Sequence, residues 1–376
     1  MGKEQVRGSG GPRLRYIPAI PDEDWDSLNN LRKEHKLSWR GVFERFRMYS
    51  GGVRYIFTAP GKMTKQTKLD LNTVMGLINS WISNISHNWY EIHNSSDISV
   101  LKGAGAYAGR PAICVGAGPS LFDHEHLDLL AESSFQEKGG LVFSTAHSLQ
   151  WCLDAGIVPD MVNVVDGDEK MVDFITGAPE GDGLAVDEVA DDVKLIYIAS
   201  AHPEVLKRWK GKQRYTFMSG VPQDLVPNVD TFLSVLLPEL TQLDTGGNSG
   251  TFNFSLAAYL GCSPIGLIGM DLSYPKDYPH DRTQYYNAYL QSVGLEYRDV
   301  QEMIEKCYTD YTHPVYGTEC YYDFVYEIFR NGILELSKIY EQVWGTKLIN
   351  CTEGGAIYAD NIECIRLEEF IERYTV

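Results

Sequence analysis

The sequence predicts an α/β protein: a doubly wound, mostly parallel, Rossmann-like sheet with a helical N-terminal appendage. Three observations carry this. Short runs are apolar without alternation, helical segments fill the gaps between them, and chemically useful residues fall directly after the runs. The runs place strands at 111–116, 140–144, 161–165, 193–199, 214–217 and 264–270. Helices are expected at about 123–133, 146–155, 203–209 and 249–260. Strands that are apolar throughout are buried on both faces, as in parallel sheets. Ligands of such sheets bind at the carboxyl ends of the strands.

Upstream, residues 1–16 are rich in Gly and Arg and are expected to be disordered. Residues 17–108 read as mainly helical. There Leu71, Val74, Met75, Leu77, Ile78, Trp81, Ile82 and Ile85 form an apolar stripe that reads as a packing face. The small-residue segment Gly103 to Gly109 marks a boundary, so the α/β domain is expected over 109–376. Within it, the polar and tyrosine-dense insert 271–319 reads as a lid over the strand ends.

The composition narrows the partners. With 376 residues, 44% hydrophobic and 22% charged, the chain is long enough and apolar enough for a sizeable core. A net charge of −18 argues against nucleic acid or an anionic membrane as the main partner. A phosphate ligand must then be held by local backbone dipoles and a few basic groups. Seven cysteines are scattered without C-x-x-C spacing, so a reduced, cytoplasmic protein without disulfides or zinc is expected. The first sixteen residues lack the apolar core of a signal peptide, and no apolar run reaches the length of a membrane span.

The strongest local signal is Pro111 to Leu121, an apolar strand running into Gly116-Ala117-Gly118-Pro119-Ser120. Glycines permit close approaches, while Pro119 and Ser120 suit the opening of a helix. A glycine turn that delivers a helix N-terminus presents free N–H groups to phosphate, although an ordinary tight turn has the same look. A second such turn, Thr245-Gly246-Gly247-Asn248-Ser249-Gly250, precedes the helix expected at 249–260. Asp166 and Asp168 follow the third strand at a spacing that suits magnesium or ribose hydroxyls, and equally suits helix capping. Asp271 and Tyr274 follow the sixth strand. The insert carries His280 and His313, each a candidate general base. Thr352 and Glu353 follow a further short strand and either face a nucleobase or sugar or close a turn.

With these residues in place, the chain from about His87 to Arg366 resembles the MptE-like (6-hydroxymethylpterin diphosphokinase-like) family, which includes the bacterial motility accessory factors. The resemblance rests on GRPAICVGAGPSL, GIVPDMVNVVD from Gly156, GGNSG from Gly246, LGCSPIGLIGMDLSY from Leu260 and INCTEGGA from Ile349. The layout is also similar to bacterial sialyltransferases that use CMP-sialic acid. Those share a Gly-x-Gly-Pro-Ser-Leu turn, with Asn where this chain has Ala117, and place a catalytic histidine in an order that His313 fits better than His280.

The resemblance implies a nucleotide-dependent transferase that moves a nonulosonic acid from a CMP-sugar to an acceptor hydroxyl. Gly116, Ala117, Gly118, Pro119, Ser120, Asn248, Ser249 and Gly250 would then face the nucleotide phosphate or ribose. Asp166, Asp271, Thr352 and Glu353 would orient sugar or base, His313 or else His280 would act as base, and Tyr274 or Tyr278 would support the leaving phosphate. No cofactor is expected in this reading, and the partners are a nucleotide-sugar and a protein or glycan acceptor. The alternative is a pterin diphosphokinase using ATP and magnesium, the metal carried by Asp166 and Asp168. A non-catalytic nucleotide-binding or interaction module is the third reading.

Overall fold

The computed structural model describes residues 77, 79–177, 183–220, 237–283, 286 and 299–375. The expected disorder of 1–16 lies outside them, as do Leu71, Val74, Met75 and Ile78 of the apolar stripe and part of the insert.

The apolar runs form the strands they predict: β2 (Ala112–Val115), β3 (Leu141–Thr145), β4 (Met161–Val164), β5 (Lys194–Ile198), β6 (Arg214–Ser219) and β8 (Ile265–Ile268). Four short strands complete the sheet: β1 (Ser96–Asp97), β7 (Gln242–Leu243), β12 (Leu348–Asn350) and β13 (Glu363–Cys364). The order is β1-β6-β5-β4-β3-β2-β8-β12-β13, with β7 on β6, and every pairing is parallel. From β2 the chain steps outward to β6, then returns to lay β8 on the other side of β2. The order therefore reverses between β2 and β8, and the crevice at that switch point is where a doubly wound sheet takes its ligand.

Side chains of β2 point alternately to two cores. Ile113 and Val115 join Leu121, Leu127 and Phe370 on one side, while Ala112 and Cys114 join Phe252, Phe254 and Leu256 on the other. Both faces are thus covered by helices, which explains strands apolar throughout.

The sheet extends upstream of the boundary drawn at 108. Of the stripe, Ile85 is fully buried, Trp81 and Ile82 pack against the core, and Leu77 is exposed. Asn84 Nδ2 donates to the carbonyls of Gly167 and Ser200 at 3.0 Å each, and Asn88 Nδ2 to those of Ala199 and Ala201 at 3.2 and 2.7 Å. This helix is stapled to the strand ends, and β1 then joins β6, so the segment before Gly103 is part of the main domain.

The insert builds a three-stranded antiparallel sheet of β9 (Tyr274–Pro275), β10 (Tyr308–Thr312) and β11 (Glu319–Asp323). It runs four residues past the expected end at 319, because β11 pairs residue for residue with β10 and then leads into the helix Phe324–Trp344.

Candidate functional site

The loops after β2, β8 and β12, three adjacent strands, interlock around one buried carboxylate. Gly116 N donates to Ile268 O and Gly118 N to Gly269 O, both at 2.8 Å. A Cβ at Gly116 would lie 2.2 Å from Gly269 O, and one at Gly118 would lie 1.8 Å from Asp271 Oδ2. Both glycines are therefore required by the backbone and carboxylate of the β8 loop. Ser120 Oγ donates to Asp271 Oδ2 at 2.8 Å. Burial of Asp271 pushes its carboxyl up to about 6, against the pull of the Ser120 hydrogen bonds, with the nearby Asp123 charge adding to the rise.

The β12 loop closes on the same residue. Ala356 N donates to Asp271 O at 2.8 Å, and a Cβ at Gly355 would lie 2.5 Å from that oxygen. Thr352 is fully buried, and its Oγ1 accepts from Met270 N at 3.4 Å. Glu353 stands at φ 58°, in the left-handed region. Its Oε1 accepts from Leu367 N at 3.2 Å at the start of the helix Leu367–Tyr374 and lies 3.5 Å from Nε2 of the buried His126. Its Oε2 lies 3.7 Å from Arg366 Nε. Through these contacts both residues hold the loop in shape.

The second glycine turn opens beside them. Asn248 caps the helix Ser249–Tyr259: its Oδ1 accepts from Thr251 N at 2.9 Å and its Nδ2 donates to Thr251 Oγ1 at 2.9 Å. A Cβ at Gly250 would lie 2.1 Å from Met270 Sδ, the same sulfur that a Cβ at Gly116 would meet at 2.9 Å. Met270 thus sits between the two glycine turns, and Ala117, Pro119, Ser249 and Asp271 belong to one locale. Asn163, within the GIVPDMVNVVD segment, and Asn253, which lies in no motif, brace it from below. Asn163 Nδ2 donates to Asn253 Oδ1 at 2.6 Å and Ser249 O at 3.1 Å, and Asn253 Nδ2 donates to Phe143 O at 3.1 Å. The donors of both buried amides are engaged, which ties the helix start to the ends of β2 and β3.

Asp166 and Asp168 do not join this cluster through their hydrogen bonds. Asp166 Oδ1 accepts from Asp168 N at 3.0 Å, and Asp168 Oδ1 from Lys170 N at 2.9 Å, so both shape their own turn. Among the described residues no group of three or more His, Cys, Asp or Glu is placed to hold a metal.

The two histidines differ sharply. His313 is fully buried, its Nε2 3.2 Å from Ile357 O and its Nδ1 accepting from Val315 N at 3.3 Å and Tyr316 N at 3.2 Å. Burial lowers its pKa. A neutral ring with both nitrogens engaged by backbone anchors the 313–317 turn, and the base role assigned from chain order has no free nitrogen to perform it. His280 is half-buried on the accessory sheet, its ring 4.8 Å from that of Tyr308 and 4.7 Å from that of Tyr321. Tyr274 links this aromatic group to the β8 loop, lying 5.6 Å from Tyr278, 5.4 Å from Tyr321 and 5.0 Å from Tyr326.

Fold and site together define a doubly wound parallel α/β protein whose two glycine turns meet at the β2/β8 switch. The chain belongs to the 6-hydroxymethylpterin diphosphokinase MptE-like family, whose model matches residues 83–277. The match takes in both glycine turns and Asp271, and ends before the β12 loop. A solved structure of a MAf glycosyltransferase from Magnetospirillum magneticum AMB-1 is similar, with 16% identity and a TM-score of 0.46 over 72% of this chain. This chain spans 38% of that protein's length. No curated protein matches the sequence. Among the described residues no helix is long and apolar enough to cross a membrane.

Proposed function

We propose that the chain is a nucleotide-dependent transferase that moves a nonulosonic acid from a CMP-sugar to a hydroxyl of a protein or glycan in the cytoplasm. The observation that supports it most is the convergence of two glycine turns on Met270 and Asp271 at the switch point. The start of the helix Ser249–Tyr259 offers backbone N–H groups to the nucleotide phosphate. Asp271 holds the Gly116–Ser120 turn through Ser120 and orients a ribose or sugar hydroxyl.

Transfer requires the acceptor oxygen to bond to the anomeric carbon as the bond from that carbon to the CMP phosphate oxygen breaks. His280 takes the acceptor proton, since its ring nitrogens make no hydrogen bond among the described residues while those of His313 are occupied. The hydroxyls of Tyr274 and Tyr278 stabilise the departing phosphate. The family's own description favours a second reading, diphosphate transfer from ATP to a pterin, in which Asp166 and Asp168 recruit magnesium. The test is release of CMP from a CMP-sialic acid donor, with and without chelator, beside ATP consumption with a hydroxymethylpterin. CMP release that survives chelation supports the proposal, and magnesium-dependent ATP consumption replaces it with the second reading.

A further inference from the structure

The acidity of the chain makes each cation near the crevice informative. Arg208, Arg214, Arg366 and Arg373 all lie within ion-pair distance of carboxylates. Arg330, on the helix Phe324–Trp344, has no carboxylate at that distance among the described residues and is half-buried. Its Nε donates to Ala356 O, and Ala356 N donates in turn to Asp271 O at 2.8 Å. Its guanidinium carbon lies 5.2 Å from the Tyr311 ring and 5.8 Å from the Tyr322 ring.

Other residues of the same helix touch the second glycine turn. Phe329, the residue before it, packs against Gly247, where a Cβ would lie 2.8 Å from the ring. Gly332, two residues on, sits so that its own Cβ would lie 3.4 Å from Gly246 O. The helix therefore passes between the second glycine turn and the β12 loop, with Phe329 and Gly332 on the turn and Arg330 on the loop. A partly desolvated guanidinium is costly unless matched, and ring faces and one carbonyl match only part of it. Its planar fork suits an oxyanion.

We propose that Arg330 is the cationic binding residue for the oxyanion of the ligand, the nucleotide phosphate or the carboxylate of the sugar acid. This rests on the transferase reading of the crevice. It also answers how so acidic a chain holds an anion: one fixed guanidinium on the β12 loop outweighs a distant, screened field.

The test is calorimetric titration of CMP, neutral cytidine and free N-acetylneuraminate into wild type, Arg330→Gln and Arg330→Lys. Thermal melting checks that each variant is folded; Gln keeps a donor for Ala356 O and part of the stem. Loss of one charge-assisted contact is expected to weaken CMP or N-acetylneuraminate about ten- to hundred-fold, with Lys recovering part and cytidine unchanged. Which of the two anions weakens names the source of the oxyanion. Unchanged binding of both, or an equal loss for cytidine, overturns the assignment while leaving the transferase reading standing. A wild type that binds none of the three overturns both.

Discussion

Replacing Asp271 with asparagine separates the charge of this residue from its shape. Asn keeps an oxygen that accepts from Ser120 and still fits above Gly118, but it has no carboxylate to desolvate. In the folded chain burial raises the carboxyl from an ordinary 3.8 to about 6. The folded state thus binds this proton more tightly than the unfolded one. The group's contribution to stability is fully present below pH 3.8 and is lost as pH rises through 6. At about 1.4 kcal/mol per pH unit, the ionised carboxylate costs about 3 kcal/mol at pH 8 and roughly half of that at pH 5. Asp271→Asn is therefore expected to melt roughly 3–5 °C above wild type at pH 8, with the gain shrinking by about half at pH 5. Thermal unfolding followed by circular dichroism at the two pH values reads this directly. A gain independent of pH, or a loss at pH 8, refutes the claim that the fold carries a desolvation cost at this carboxylate.

Other substitutions test the surrounding geometry. Gly118→Ala drives a Cβ to 1.8 Å from Asp271 Oδ2 and is expected to destabilise by about 3–5 kcal/mol, through overpacking and loss of the Ser120 bond, measured by urea unfolding. His313→Ala leaves the Val315 and Tyr316 N–H groups unmatched and opens a buried void, and is expected to cost about 2–4 kcal/mol in the same assay. His280→Ala is expected to melt within about 1 kcal/mol of wild type but to lose roughly a hundred-fold or more in transfer rate. The reverse pattern for the two histidines sinks their assignment. Asp168→Asn keeps an oxygen for Lys170 N and is expected to leave nucleotide affinity unchanged within about two-fold, measured by titration.

Much of this fold is legible in the sequence, because strands buried on both faces are written as unbroken apolar runs. Ala112–Val115 and Ile265–Ile268 are such runs, and the switch point they form follows from their pairing. The two-residue strands Ser96–Asp97 and Gln242–Leu243 have no pattern to read and exist only because Arg214–Ser219 offers them an edge. The Gly116–Ser120 turn shows the limit of motif reading. A missing Cβ has the same signature whether a phosphate or a neighbouring carboxylate needs the space, and at Gly118 the structure puts Asp271 there. Chain order favoured His313, but its burial and the partner of its Nε2 depend on packing from Ile357, 44 residues on. Arg330 lies in no motif; only the docking of its helix brings it to Ala356 and the β12 loop.

The most direct test of the central claim is calorimetric titration of CMP and ATP into the full chain, with magnesium and then with chelator. The account predicts CMP binding that persists in chelator and exceeds ATP binding. Binding of ATP alone and only with magnesium, or binding of neither nucleotide, contradicts it.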